Sequence, residues 1–110
     1  MSEAIPEHML EYVAERFRVL GDATRLAILR DLMHARERNV GELVAALGMS
    51  QANVSKHLRV LLDARIVSRR QSGTAAYYSV VDPTVVRMCD IVCDRLAEQA
   101  HREAELVARR

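Results

Sequence analysis

Tryptophan is absent from this chain and phenylalanine occurs once, at Phe17. A core with so few large rings has to be built from Leu, Val, Ala, Ile and Met, a composition that favours helices. No stretch approaches the roughly 18 consecutive apolar residues that a membrane span needs, so no membrane partner is expected. The segment from Met1 to Glu15 carries Glu3, Glu7, Glu11 and Glu15, and it has neither the basic nor the apolar region of a secretion signal. A soluble, cytoplasmic protein is expected. Cysteine is also scarce: Cys89 and Cys93 are the only two, and four residues apart they bracket no long loop, which excludes a secreted disulfide framework. With 110 residues, half of them apolar, the chain is expected to form one domain over 1–110. A motif pairing a nucleophile with a base, or an acid with a base in a pocket, is missing as well, so no enzyme is expected.

The net charge of +1 says little by itself, because it hides an uneven distribution. The segments on either side of residues 50–80 are neutral or slightly acidic. Between those bounds Lys56, Arg59, Arg65, Arg69 and Arg70 face Asp63 alone. A basic stretch in an otherwise balanced chain suits a polyanion-binding face, although a solvated surface with uneven charge would look the same.

Apolar spacing then gives the elements. Met9, Leu10, Val13, Phe17 and Leu20 recur at steps of three and four, which predicts an amphipathic helix over about 8–20. Asp22 can cap a second helix that runs to about His34, with Leu26, Ile28, Leu29, Leu32 and Met33 on its apolar face. Residues 36–39 read as a connection. Val40, Leu43, Val44 and Leu47 predict a short third helix that stops at Gly48, and Ser50 begins a fourth whose apolar positions are Val54, Leu58, Leu61 and Leu62. Beyond Ala64 the period changes to two, so Ile66–Arg70 and Ala75–Val80 predict a hairpin around Gln71-Ser72-Gly73-Thr74. Asp82-Pro83 opens a last helix over about 84–107, striped by Val85, Val86, Cys89, Val92, Cys93, Leu96 and Ala100.

Two short helices joined by Leu47-Gly48-Met49-Ser50, with a polar second helix and a basic hairpin directly after it, fit a helix-turn-helix over about 40–62 followed by a wing over about 66–80. The second helix would enter the major groove of double-stranded DNA with Ser50 aiming its N-terminus at a phosphate. Gln51 and Asn53 can read base edges with paired donors and acceptors, Ser55 and His57 can add single hydrogen bonds, and Lys56 and Arg59 suit phosphate or guanine. Arg69, Arg70 and Thr74 on the wing would reach the neighbouring backbone or minor groove. A protein-interaction module on the same scaffold remains the alternative.

The stretches Leu20-Gly-Asp-Ala-Thr-Arg25-Leu-Ala-Ile-Leu29, Val40-Gly-Glu-Leu43 and Leu47-Gly-Met-Ser-Gln-Ala-Asn-Val-Ser-Lys-His-Leu58-Arg-Val-Leu, with Tyr77-Tyr78 closing the wing, resemble the ArsR/SmtB family of winged helix-turn-helix repressors. The resemblance covers roughly residues 10 to 100. It implies a mainly helical fold with a small hairpin wing, a homodimer paired through the first and last helices, and an inverted-repeat operator released when an inducer binds.

The family's sensory sites can be sought residue by residue. One places cysteines in a Glu-Leu-Cys-Val-Cys-Asp-Leu pattern ahead of the turn; here Asn39 and Gly41 stand where the thiolates would be. Another joins Asp-Xaa-His to a His-Xaa-Xaa-Glu further along the last helix. Asp82 and Glu98 match it, but Thr84 and Arg95 replace both imidazoles, and a permanent cation opposes a divalent metal. No metal site and no cofactor is expected. Cys89 and Cys93, one turn apart at about 6 Å between Cβ atoms, leave two readings open: a site for a thiol-reactive or thiophilic inducer, or small apolar residues filling the dimer seam.

Overall fold

The computed structural model of the chain describes residues 4–108. A turn of 3-10 helix at Glu7–Met9 leads into α1 (Leu10–Leu20), followed by α2 (Ala23–Ala35), β1 (Arg38–Asn39), α3 (Val40–Leu47), α4 (Gln51–Asp63), β2 (Val67–Ser72), β3 (Ala75–Val80) and α5 (Pro83–Ala108). The mainly helical architecture with a hairpin wing is as the spacing predicts, although α1 begins two residues later than His8 because the first turn is 3-10.

The local chemistry that starts and stops each helix is visible atom by atom. The Asp22 carboxylate accepts from the Arg25 amide at 3.0 Å, at the start of α2. Asn39 and Glu42 form a reciprocal capping box on α3: Asn39 Oδ1 accepts from the Glu42 amide at 2.8 Å, and Glu42 Oε1 from the Asn39 amide at 2.9 Å. Gly48 ends that helix with φ 65° and ψ 30°, a left-handed conformation that a residue with a Cβ would adopt only with strain.

One connection turns out to be a strand. Residues 38–39 pair with β3 in an antiparallel register, Arg38 opposite Tyr78 and Asn39 opposite Tyr77. The sheet order is therefore β1-β3-β2, with the hairpin strand β3 in the middle. The β2–β3 ladder runs from Val67 opposite Val80 to Ser72 opposite Ala75, which shortens the turn to Gly73-Thr74, and Gly73 enters it with φ 59°.

Ile28, Leu29 and Leu32 from α2, Leu43 from α3, Val54, Leu58 and Leu61 from α4, Ile66 and Val85 are essentially inaccessible and form one cluster. Each such side chain contributes about 1.5–3 kcal/mol by leaving water. The outer helices take little part. From α1 only Val19 and Leu20 are buried, and from α5 only Val85. Apart from Leu20 and Val85 and the half-buried Val13, Val86 and Cys89, the predicted stripes on these two helices are open to solvent in the single chain: Leu10 is 53% exposed, Phe17 57%, Val92 55% and Leu96 59%. With 26 residues, α5 is about 39 Å long and projects well beyond the core, which accounts for a largest dimension of 60 Å.

Candidate nucleic-acid interface

The reversal between α3 and α4 is held at both ends. The Gly48 amide donates to the Val44 carbonyl at 2.9 Å, closing α3, and Ser50 Oγ accepts from the Asn53 amide at 3.1 Å, capping α4. A cap of this kind stabilises a helix by about 1 kcal/mol and leaves the other first-turn amides of α4 aimed outward. Ser50 itself is exposed.

At about 100° per residue, Gln51, Ala52, Ser55, Lys56 and Arg59 fall within a sector of about 140° on α4. All five are exposed, so they form one continuous stripe that is polar and basic apart from Ala52. Asn53 lies at the margin of that stripe. It is half-buried, and its amide nitrogen sits 3.9 Å from the Met49 sulfur. The Arg59 side chain pairs with Asp63 at 3.3 Å, but both are well exposed and such a pair yields readily to a phosphate. Lys56 forms no ion pair among the described residues.

His57 does not belong to this surface. It is 7% exposed, three residues after Val54 and four before Leu61 on the core-facing side of α4, and its Nδ1 lies 3.1 Å from Nη1 of Arg25. The expected hydrogen bond from His57 to a base is set aside on that ground. Spacing held the warning, since i+3 from one buried position and i−4 from another is a core address.

On the wing, adjacent residues of a strand point to opposite faces, so Arg69 and Arg70 diverge. Arg69 is exposed and has no ion pair among the described residues. Arg70 is engaged: its Nη2 meets a Glu37 carboxylate oxygen at 2.8 Å, and its guanidinium lies 5.1 Å from the centre of the Tyr77 ring. Thr74 is exposed at the tip beside Gly73, whose carbonyl accepts from Gln71 Nε2 at 3.0 Å.

Away from this face, Cys89 is half-buried against the core and Cys93 is exposed. Burial pushes the Cys89 thiol up from its ordinary range and the neighbouring Asp90 carboxylate adds to it, so its thiolate fraction is reduced. Asp82 is taken up as a cap for α5, accepting from the Thr84 hydroxyl at 2.6 Å and amide at 2.9 Å, and it pairs with Arg16 of α1 at 3.5 Å. The Thr84 hydroxyl holds the Asp82 carboxyl below its usual range. Arg95 stands 3.7 Å from Glu98.

A family model described as bacterial regulatory protein, arsR family, matches residues 22–69. Over 79 residues the chain is 43% identical to a probable mercury resistance operon repressor of Streptomyces lividans, a match that covers 72% of this chain and 60% of that protein. The chain thus spans less than two thirds of that relative. The arsenical resistance operon repressor of Bacillus subtilis is 32% identical over 85 residues, which cover 77% of this chain and 80% of that one. Among solved structures, the antimony-specific repressor AntR superposes with a TM-score of 0.78 at 34% identity, over 92% of this chain and 90% of its own. The homodimeric winged helix-turn-helix DNA-binding domain of Mb0332 from Mycobacterium bovis superposes at 0.72 with 30% identity, over 89% and 92%.

Proposed function

The chain belongs to the arsR family of bacterial regulatory proteins, and we propose that it is a cytoplasmic homodimeric repressor that binds an inverted-repeat DNA operator and leaves it when an inducer binds. It acts through binding, not through catalysis. The observation that carries this reading is the stripe Gln51, Ser55, Lys56 and Arg59, exposed along one side of a helix that a tight turn and a capping serine present outward. A helix of this width fits the major groove, where Gln51 at the first turn reaches base edges and Arg59 and Lys56, on one side of it around the helix, reach toward the phosphates. The wing adds Arg69 and Thr74, with Arg70 held by Glu37. Two copies related by a twofold axis would address half-sites one DNA turn apart, about 34–36 Å, or a multiple of it.

The test begins with a pool of random-sequence duplexes. Selection by the protein should enrich an inverted repeat with that spacing, and Gln51→Ala should relax preference by about 1–3 kcal/mol at one base pair in each half-site. No enrichment over many rounds would leave the interaction module as the better description.

For the inducer we propose a thiophilic or thiol-reactive species at Cys89 and Cys93. The relatives named for mercury, arsenical compounds and antimony lend this chemical class its support. Two sulfurs one helical turn apart can share a soft ion, and a third thiolate would have to come from the partner's copy of the pair. Cys93, exposed in the single chain, would lie along the seam of the dimer, where the partner's pair can share the ion; Cys89, with its raised thiol, follows once the ion is bound. Arsenite, antimonite, mercuric ion, zinc and a persulfide donor, titrated against the protein on its selected duplex, should release wild type at lower concentration than Cys89→Ser or Cys93→Ser. Equal release curves in all three proteins would make the cysteines filling of the seam.

A further inference from the structure

Only two polar residues are buried among the described residues, Arg25 and His57, and they are bonded to each other. Arg25 lies one turn before Ile28 and Leu29, and two before Leu32, on the core-facing side of α2, where burying a cation is costly unless its donors are satisfied. The satisfaction comes from three directions. Nε donates to the Val19 carbonyl at 2.7 Å, Nη2 to the Arg18 carbonyl at 3.5 Å, and Nη1 stands 3.1 Å from His57 Nδ1. The Asp22 carboxylate, 3.9 Å from Nη1, is the nearest counter-charge, and the Arg18 side chain turns away to Glu15. Val19 and Arg18 lie in the last turn of α1, whose carbonyls have no helical partner and carry the negative end of the helix dipole.

A guanidinium has no lone pair to offer, so the bond to His57 fixes its own direction: Nδ1 must be the acceptor, with the ring proton on Nε2. One side chain therefore ties the end of α1 and the start of α2 to the back of α4. We propose that Arg25 and His57 are positioning residues for operator recognition, and that their bond sets the roll of α4 about its axis and passes movements of α1 to it. This rests on the repressor reading above. Side-chain heads on α4 sit about 5–6 Å from the helix axis, so a roll of 20° would carry Gln51 and Ser55 by about 2 Å. That displacement exceeds the few tenths of an ångström a hydrogen bond to a base edge tolerates. Packing by Val54, Leu58 and Leu61 seats α4 on the core but carries no bond directionality of its own; the Arg25–His57 bond adds a directional constraint on the roll.

The experiment measures affinity for a duplex selected from a random pool and for a scrambled duplex of equal length, alongside thermal unfolding. His57→Leu fills the site with an apolar side chain of similar size but removes the acceptor, and is expected to lower the selected-to-scrambled affinity ratio at least tenfold while scrambled-DNA affinity stays within about twofold, since the phosphate contacts remain. His57→Asn, whose Oδ1 offers an acceptor near the position of Nδ1, should restore most of the ratio. A double variant, Arg25→Met with His57→Leu, removes both buried polar groups; it should regain the thermal midpoint but not the ratio, which separates positioning from plain stability. A double variant that discriminates as well as wild type would overturn the proposal. So would nitrogen NMR of the wild type, which requires no variant to fold, if it found the proton of His57 on Nδ1. Wild type that fails to distinguish the two duplexes would instead sink the repressor reading itself.

Discussion

Raising monovalent salt from 50 to 200 mM is expected to weaken binding to a selected duplex by about a thousandfold. The expectation comes from counting cations that are free to meet phosphates. Lys56 and Arg69 have no ion pair among the described residues, and Arg59 has only an exposed partner in Asp63. Both copies of a dimer would then neutralise about six phosphates, for a log–log slope of about −5. Arg70 is the conditional case, because Glu37 and the Tyr77 ring already hold it. Glu37→Gln would free it and should carry the slope toward about −7, with tighter binding at low salt. A wild-type slope near zero on a specific duplex would remove the electrostatic footprint altogether. With a net charge of only +1, the chain has no general attraction for DNA that could mimic the effect.

What the sequence made legible was mainly local. The Asp22 and Ser50 caps, the αL glycine at Gly48 and the exposed stripe of α4 each depend on residues within a few positions of one another, and the structure has each of them. Contacts between distant segments were harder. The strand β1 is two residues long, too short for any alternation to register, and it exists because β3 offers it an edge. Glu37 and Arg70 are 33 residues apart, so nothing in the basic run showed that one wing arginine is already paired. His57 was read as a base contact, and Arg25 was given no role, for a different reason. Stepping back by three and four from Ile28 and Leu29 lands on Arg25, and forward by three from Val54 lands on His57; both polar residues occupy apolar positions of their helices, and each could do so because the other is there. Two such breaks in pattern, on helices whose other stripes are clean, are a signal for a buried bond.

Leu96→Glu should separate the dimer and sharply weaken operator binding while leaving the protomer folded. The separation of these effects follows from where α5 sits. In the single chain Leu96 is 59% exposed and Val92 55%, and Val85 alone of this helix is buried, so a carboxylate at position 96 meets water in the monomer and disturbs no core contact. Thermal unfolding of the protomer should therefore change little. Leu96, Val92 and Ile91 on α5, with Leu10 and Phe17 on α1, are large apolar side chains of a kind that a soluble monomer seldom leaves open along two helices. A second copy of the chain would cover them about a twofold axis, and any substitution at the seam then counts twice. Burying an unpartnered carboxylate costs at least about 2 kcal/mol per copy, so the dissociation constant of the dimer should rise by a factor of about a thousand or more. Operator affinity should fall with it, because a lone protomer engages one half-site and forfeits the contacts of the other. Sedimentation at micromolar concentration, run beside a mobility shift on the selected duplex, gives both readouts. If Leu96→Glu and Val92→Glu both remain dimeric there, the last helix is not the seam and the exposed stripe must serve another partner.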